Sequence, residues 1–358
     1  MLRGKKQRLF MAAAVFLLVA ALGGFTACGN GNGNGNGNGG GAGEAGGQTG
    51  LEQYAGANFI ILTGSSGSVW NLFGGQAGEL LTAAVPGTTV NIEPGGAVSN
   101  YTLVNEGDAQ FGLSTTDTSY EAWHGEGENF EALGELRNVR SFGIAYPMLY
   151  HWIATDKSGI ETIYDIKGKT FTDSFPGQSS YIIGVKALAL HGIDQEKDIK
   201  YKPGAIGEAV TAMGDGQLDG LSWNLSIPQA TISELAVNKD VHMIQWGEGK
   251  LDEFLTTYPM YKKMTIPAGT YPFLTEDYET CGVVTDLICS ADLDEELVYA
   301  FTKALWENRE KLLAVSPTVE YMTMENAMAD LTIPLHAGAY RYYTEAGCDV
   351  PDRLRPVD

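Results

Sequence analysis

Residues Phe59 to Leu81 constrain this chain more than any other stretch. The apolar run Phe59-Ile-Ile-Leu62 feeds a Gly/Ser turn, Thr63-Gly-Ser-Ser-Gly-Ser68, which opens straight into a segment where Trp70, Phe73, Ala77, Leu80, Leu81 and Ala84 fall at helical spacing. The pattern is strand, polar loop, helix N-terminus. Such a junction gathers unpaired backbone N–H groups, hydroxyls and the positive end of a helix dipole, which together hold an anionic or strongly polar group without a basic residue. It is not a nucleotide loop: neither G-x-x-x-x-G-K-[ST] nor G-x-G-x-x-G can be read from Gly64 onward, and no lysine follows to reach a phosphate. Nor is it a nucleophile elbow, because Ser68 stands where the second glycine of G-x-S-x-G belongs.

The same alternation recurs along the chain. Strands are expected at 58–63, 88–93, 109–114, 138–145, 148–155, 169–173, 198–201, 218–222, 241–245 and 281–289, and helices at 68–84, 97–107, 179–191, 205–214, 227–237, 294–314, 318–328 and 335–346. This argues for an α/β fold built on mainly parallel sheets, with ligands at the carboxyl ends of strands. A second turn, Glu93-Pro-Gly-Gly-Ala-Val-Ser-Asn100, and a third, Ser174-Phe-Pro-Gly-Gln-Ser-Ser180, also join a strand to a helix. Three such junctions in successive α/β units imply a cleft lined from both sides, although each alone is ordinary capping chemistry. No internal repeat of solenoid length is visible.

The first 27 residues read as a signal peptide. Arg3, Lys5, Lys6 and Arg8 precede an uncharged run, Leu9 to Leu22, of 14 residues, shorter than the ~20 that span a bilayer. Phe25-Thr-Ala-Cys28 resembles a bacterial lipobox, which implies lipidation of Cys28 and an anchor in the outer face of the cell membrane. Residues 28–56 then form a flexible tether, most of it Gly, Asn and Ala. Cleavage removes four of 23 basic residues, leaving 19 against 44 acidic ones, a net charge of −25. Nucleic acid and anionic lipid surfaces are therefore poor partners, and the plainer reading of the charge is solubility outside the cell. Cys281 and Cys289 are expected on one strand, too far apart to bridge, and a Cys289 to Cys348 disulfide stays open.

Seven segments, in one order, resemble the TAXI class of extracytoplasmic solute-binding proteins, which serve tripartite ATP-independent periplasmic (TRAP) transporters. They are Thr63-Gly64 with its Gly/Ser loop; Pro94-Gly-Gly-Ala-Val-Ser-Asn100; Glu106-Gly-Asp-Ala-Gln-Phe-Gly-Leu-Ser114 with Asp117; Asp165-Ile-Lys-Gly-Lys169; Asp215-Gly-Gln-Leu-Asp-Gly220; Tyr258-Pro-Met-Tyr261 with Ile266-Pro-Ala-Gly-Thr-Tyr271; and Ile333 to Gly347. The resemblance implies a type II periplasmic-binding-protein-like fold, two α/β lobes around a central cleft with hinge crossovers. Lobe one is expected at 57–148 plus 275–358, lobe two at 149–250, and an inter-lobe connection at 251–274, with hinge strands near Tyr146 to Ala154. It implies a monomeric, non-enzymatic protein without cofactor or metal, which captures a small organic solute of the amino acid or carboxylate class and delivers it to the membrane subunits of a TRAP transporter.

On the same basis Ser65, Ser66, Ser68, Trp70, Asn71, Asn100, Thr116 and Asp117 would line the cleft from lobe one, and Ser179, Ser180, Trp223 and Asn224 from lobe two. The Asp117 carboxylate is suited to an ammonium. Each has a plainer reading: Trp70 also lies on the apolar stripe, Asp117 can cap a helix, and Tyr258, Tyr261, Tyr271, His336 and Arg341 suit packing or inter-helix polar roles. Ser65, Ser68, Ala97 and Gln178 depart from the residues usual in the class, so its frequent ligands transfer poorly to this cleft. Two rivals remain: a lipoprotein that presents its ligand to a membrane sensor, and a surface hydrolase. For the hydrolase, the five histidines at 124, 151, 191, 242 and 336 form no metal spacing, and none follows a nucleophile elbow in a convincing order.

Overall fold

Apolar strands and amphipathic helices alternate in a computed structural model that describes residues 50–357, Gly67 excepted. The signal peptide, Cys28 and most of the tether lie outside the described residues. In chain order come β1 (Asn58–Leu62), α1 (Val69–Ala84), β2 (Thr89–Glu93), α2 (Ala97–Glu106), β3 (Phe111–Thr115), α3 (Thr116–His124) and β4 (Val139–Thr155). Then follow β5 (Thr170–Thr172), α4 (Ser179–Leu190), α5 (Gln195–Asp198), β6 (Lys200–Tyr201), α6 (Ile206–Gly214), β7 (Gly220–Leu225), α7 (Ala230–Asn238) and β8 (Val241–Met243). The chain continues through α8 (Lys250–Thr257), β9 (Lys262–Ile266), β10 (Tyr278–Ser290), α9 (Glu295–Glu307), α10 (Arg309–Leu313) and α11 (Ala337–Glu345).

The described strands form one 10-stranded sheet in the order β2-β1-β3-β10-β4-β7-β5-β6, with β8 on β4 and β9 on β10. At each end the pairing is parallel: β2, β1 and β3 at one, β7, β5 and β6 at the other. Between them β4 and β10 pair antiparallel with each other and with β3 and β7, so the expectation of mainly parallel strands holds only for the two flanks. β4 also runs unbroken through Pro147, where the sequence suggested two strands. The proline lies opposite Val284 of β10, at a place where the ladder needs no N–H from it.

Helices cover both faces of each flank. Phe73 and Leu81 of α1, Phe301 of α9 and Tyr343 of α11 pack on Phe111 and Ile144, while Tyr101, Val104 and Trp123 of α2 and α3 pack on the opposite face. Around β7 and the far half of β4, Ile183 and Leu188 of α4 and Phe254 of α8 bury Trp152 and Phe171. Ile232 of α7 and Met213 of α6 bury Leu221. Each such apolar side chain contributes about 1.5–3 kcal/mol by leaving water.

Three sequence expectations change. The segment Thr116–His124 is a helix, the expected helix 294–314 breaks at Asn308, and 318–328 holds a 3-10 turn at Pro317–Tyr321 rather than an α-helix. Residues 251–274, expected as an inter-lobe connection, carry most of α8 and all of β9. All three described cysteines are free thiols, with Cys281 and Cys289 both on β10, so no bridge joins Cys289 to Cys348. Among the described residues, no helix is long and apolar enough to cross a membrane, and no His/Cys/Asp/Glu group could hold a metal.

Candidate functional site

The first junction is built for close approach of helix and strand. A Cβ added to Gly74 of α1 would stand 2.2 Å from Thr63 Cγ2, and one on Gly78 would stand 3.1 Å from Val90 and Ile92. These glycines cost helix propensity, yet they let α1 lie directly on β1 and β2. Ser68 caps α1 by accepting a hydrogen bond from Asn71 N–H at 3.2 Å, while Ser65 and Ser66 are exposed. The Ser68 hydroxyl is thus committed to its own helix.

Asn71 and Asn100 meet at Thr63. Asn71 Nδ2 donates to Thr63 Oγ1 at 3.3 Å, and Asn100 Nδ2 donates to the carbonyls of Thr63 at 2.9 Å and Leu113 at 2.7 Å. Asn100 is fully buried and its Oδ1 finds no partner. Trp70 Nε1 donates to Thr285 on β10 at 3.0 Å, and Thr116 Oγ1 accepts from Val284 N–H at 3.2 Å. These two side chains tie the first flank to β10.

The third junction meets the first flank directly. Ser179, at the start of α4, donates to Asp117 Oδ2 of α3 at 3.3 Å and accepts from Asn224 Nδ2 of β7 at 3.4 Å. Next to it Ser180 Oγ accepts from Asn224 N–H at 3.0 Å. Gln178 reaches the second junction: a Cβ on Gly96 would lie 2.4 Å from its Nε2. Loops at the carboxyl ends of β2, β3 and β5, and the end of β7, therefore close on one seam, where a twisted α/β sheet is expected to take its ligand. Asp117 Oδ1 and Asn224 Oδ1 are both buried in it with no hydrogen-bond partner. Buried polar atoms without partners are rare in proteins, and each one calls for a cause.

Trp223 does not join the seam. Successive strand residues face opposite ways, so Ser222 and Asn224 of β7 look toward α4 while Leu221, Trp223 and Leu225 pack into the core under α6 and α7. Ser65, Ser66 and Ser68 have no hydrogen bond to it among the described contacts.

Sequence reasoning missed the ion pair beside the seam. Lys186 of α4 pairs with Glu121 of α3, donates to Tyr261 OH at 3.2 Å and lies over the rings of Tyr258 and Tyr261, 5.1 and 5.3 Å from their centres. Glu121 is 3 % exposed, and burial pushes its carboxyl up while Lys186 pulls it down. A signal was available, since Lys186 is the lone charge in the otherwise apolar helix Ser179–Leu190. Behind the third junction Asp173 is also buried and pushed well up by that burial; Gln195 donates to its Oδ1 at 3.2 Å and Oδ2 has no partner. The following Ser174 holds a φ of 93°, the one non-glycine residue with positive φ among those described.

Two motif residues prove to be scaffold. His336 caps α11, accepting from Gly338 N–H at 3.2 Å through Nδ1 while Nε2 donates to Leu293 O at 2.9 Å. Arg341 bridges α11 to α9 through Glu295 and Glu296, each at 2.7 Å. Surface hollows of about 550 and 620 Å³ lie away from the seam, the first beside Tyr181 and Gln195, the second beside Arg140 and His336.

A mixed sheet whose two parallel flanks turn their strand ends toward one seam, joined by two long antiparallel strands, defines the periplasmic-binding-protein class of α/β fold. The chain belongs to the NMT1-like family, whose model matches residues 61–347, and that family consists of periplasmic solute-binding proteins rather than enzymes. Among solved structures it is similar to MatC from Rhodopseudomonas palustris with bound malate (10 % identity, 81 % of this chain and 97 % of that one, TM-score 0.51). It is also similar to the alkanesulfonate-binding protein SsuA from Xanthomonas axonopodis pv. citri bound to MOPS (17 % identity, 81 % and 91 %, TM-score 0.43). A third is a TRAP periplasmic solute binding protein from Sulfitobacter sp. NAS-14.1 with bound β-D-galacturonate (12 % identity, 81 % and 93 %, TM-score 0.43).

Proposed function

We propose that this chain is an extracytoplasmic solute-binding lipoprotein of the TAXI class, anchored to the outer face of the cell membrane through Cys28, which hands a small organic solute of the amino acid or carboxylate class to the membrane subunits of a TRAP transporter. It works as a monomeric clamp. Lobe one is 57–148 plus 275–358, lobe two is 149–250, 251–274 connects them, and β4 and β10 form the hinge. The observation that carries this reading is the Asp117–Ser179–Asn224 seam, where side chains from three separate elements converge and leave buried acceptors unpartnered. A solute that touches both sides favours the closed arrangement by its differential affinity, and the membrane partner then recognises closure.

Asp117, Asn224, Ser179, Ser180 and Asn100 form the floor of the site. Trp70, Asn71 and Thr116 hold its first-flank wall, and Ser65, Ser66 and Ser68 rim its mouth. Thermal-shift screening of amino acids and organic acids, after refolding to strip carried-over ligand, should find a solute that raises the melting temperature. X-ray scattering should show a smaller radius of gyration with that solute bound. A broad library without a hit, or equal radii with and without the solute, would remove the clamp reading.

A further inference from the structure

The seam holds two buried carboxylates and one cation. Asp117 is 1 % and Glu121 3 % exposed, and they lie one helical turn apart on α3. Lys186 is the only cation paired with either of them among the described residues, and it is spent on Glu121, on Tyr261 OH and on the faces of Tyr258 and Tyr261. Asp117 receives a hydrogen bond, 3.3 Å, from Ser179 and faces the Tyr261 hydroxyl, while its Oδ1 is buried with no hydrogen-bond partner. The neighbouring orphan is also an acceptor, the Asn224 carbonyl oxygen. Its orientation is fixed because Asn224 Nδ2 donates to the same Ser179 hydroxyl that donates to Asp117. Two buried acceptors, one of them an oxygen of a carboxylate with no cation paired to it among the described residues, are thus left over. Burying a carboxylate without a partner is costly, whereas supplying its counter-charge removes that cost and adds charge-assisted hydrogen bonds.

We propose that the solute carries an ammonium group that docks on Asp117 and the Asn224 carbonyl oxygen, and that dicarboxylates and sugar acids without an amine are rejected. This rests on the clamp reading and narrows it. The unpaired Asp117 opposes closure of an empty clamp, and the ammonium relieves it, so closure becomes conditional on the right charge.

The test uses the mature protein, refolded to remove bound solute, and pairs of probes that differ only by the amine: glutamate with glutarate, alanine with propionate, 4-aminobutyrate with butyrate. Calorimetry should detect binding of at least one amine-bearing member and none of its deaminated partner. Asp117→Asn should weaken that binding by about ten- to a hundred-fold while the ligand-free protein melts no lower than wild type. Should D117N fail to fold, Asn224→Ala serves with the same readout. Binding of the deaminated members, or affinity unmoved by D117N and N224A, overturns the inference and leaves the clamp standing. Binding of neither set by the wild type overturns both.

Discussion

Replacing Lys186 by methionine isolates the ion pair that joins α3 to α4. Methionine keeps the apolar stem that lies over Tyr258 and Tyr261 and removes only the charge. In the closed arrangement Glu121, with 4 % side-chain exposure, is left uncompensated. Removing one partner of a buried pair costs about 3–5 kcal/mol, or about a hundred- to a few-thousand-fold in an equilibrium constant. The 17 % exposure of the Lys186 side chain places the effect in the lower half of that range. In the proposed clamp, opening would rehydrate Glu121, so the loss should appear in solute affinity measured by calorimetry. The urea unfolding free energy of the ligand-free protein should move by less than about 1 kcal/mol. The effect has a definite sign with pH. Burial already raises the Glu121 carboxyl, and without Lys186 nothing pulls it back, so the closed form favours the protonated acid. Affinity of K186M should therefore recover as pH falls, and Glu121→Gln in the same chain should restore it at every pH. An unfolding free energy that drops by the full amount, with affinity unchanged, would show that the pair holds the fold and plays no part in closure.

Three further outcomes follow from the interior. A Cβ on Gly338 would stand 2.3 Å from Glu295 O and 2.5 Å from Tyr299 N, both backbone, so Gly338→Ala should destabilise by about 1–3 kcal/mol or more in urea titration as α11 is pushed off α9. Burial raises Asp286 to about 7, against the serine hydroxyls of Ser119 and Ser141 that favour its charge, and lowers His151 to about 4. The Asp286 contribution is full below its unfolded value of 3.8 and is lost as pH rises through about 7. That of His151 is full above 6.5 and is lost as pH falls through about 4. Asp286→Asn should remove the fall in stability that Asp286 causes between about pH 4 and about pH 7 and leave the His151 dependence in that range. Of the three described thiols, only Cys348 should react with a thiol reagent in the folded protein, since burial raises all three and Cys281 and Cys289 are inaccessible.

The strand, turn and helix of the first junction were legible because periodicity and a cap residue agree there: Ser68 caps α1, and Phe73, Ala77, Leu80 and Leu81 are buried at the spacing read from sequence. The helix α3 is not legible in the sequence, since five of its seven buried residues, Thr116, Asp117, Thr118, Ser119 and Glu121, are polar and only Ala122 and Trp123, at its end, are apolar. Its polar face is turned inward toward Asp286, Ser179 and Lys186, so the pattern that usually betrays a helix is inverted at the candidate site. Asp117, Ser179, Ser180 and Asn224 were named from their motifs, and the structure joins them. Trp223 and Asn224 are expected just past a strand ending at 222, but β7 runs on to Leu225, and its two-residue period sends the two side chains to opposite faces. The antiparallel centre was hidden as well, because Pro147 reads as a strand break and only the register with β10 shows that it is not.

Strands β4 and β10 give the molecule an elastic element. Both are continuous between the two parallel flanks, 17 and 13 residues long, and their mutual ladder slips twice, between Val284 and Asp286 and between Leu287 and Ile288. Any motion that separates the flanks must bend this two-stranded ribbon, and the slips are its weakest points. A ribbon bends as a leaf spring does: it has a preferred curvature and a restoring torque. In the proposed clamp the rest angle would be set by the ladder beside Asp286, which Trp70 and Thr116 hold through Thr285 and Val284. Substitutions there should retune affinity by changing the work of bending, even where Asp117, Ser179 and Asn224 keep their mutual contacts.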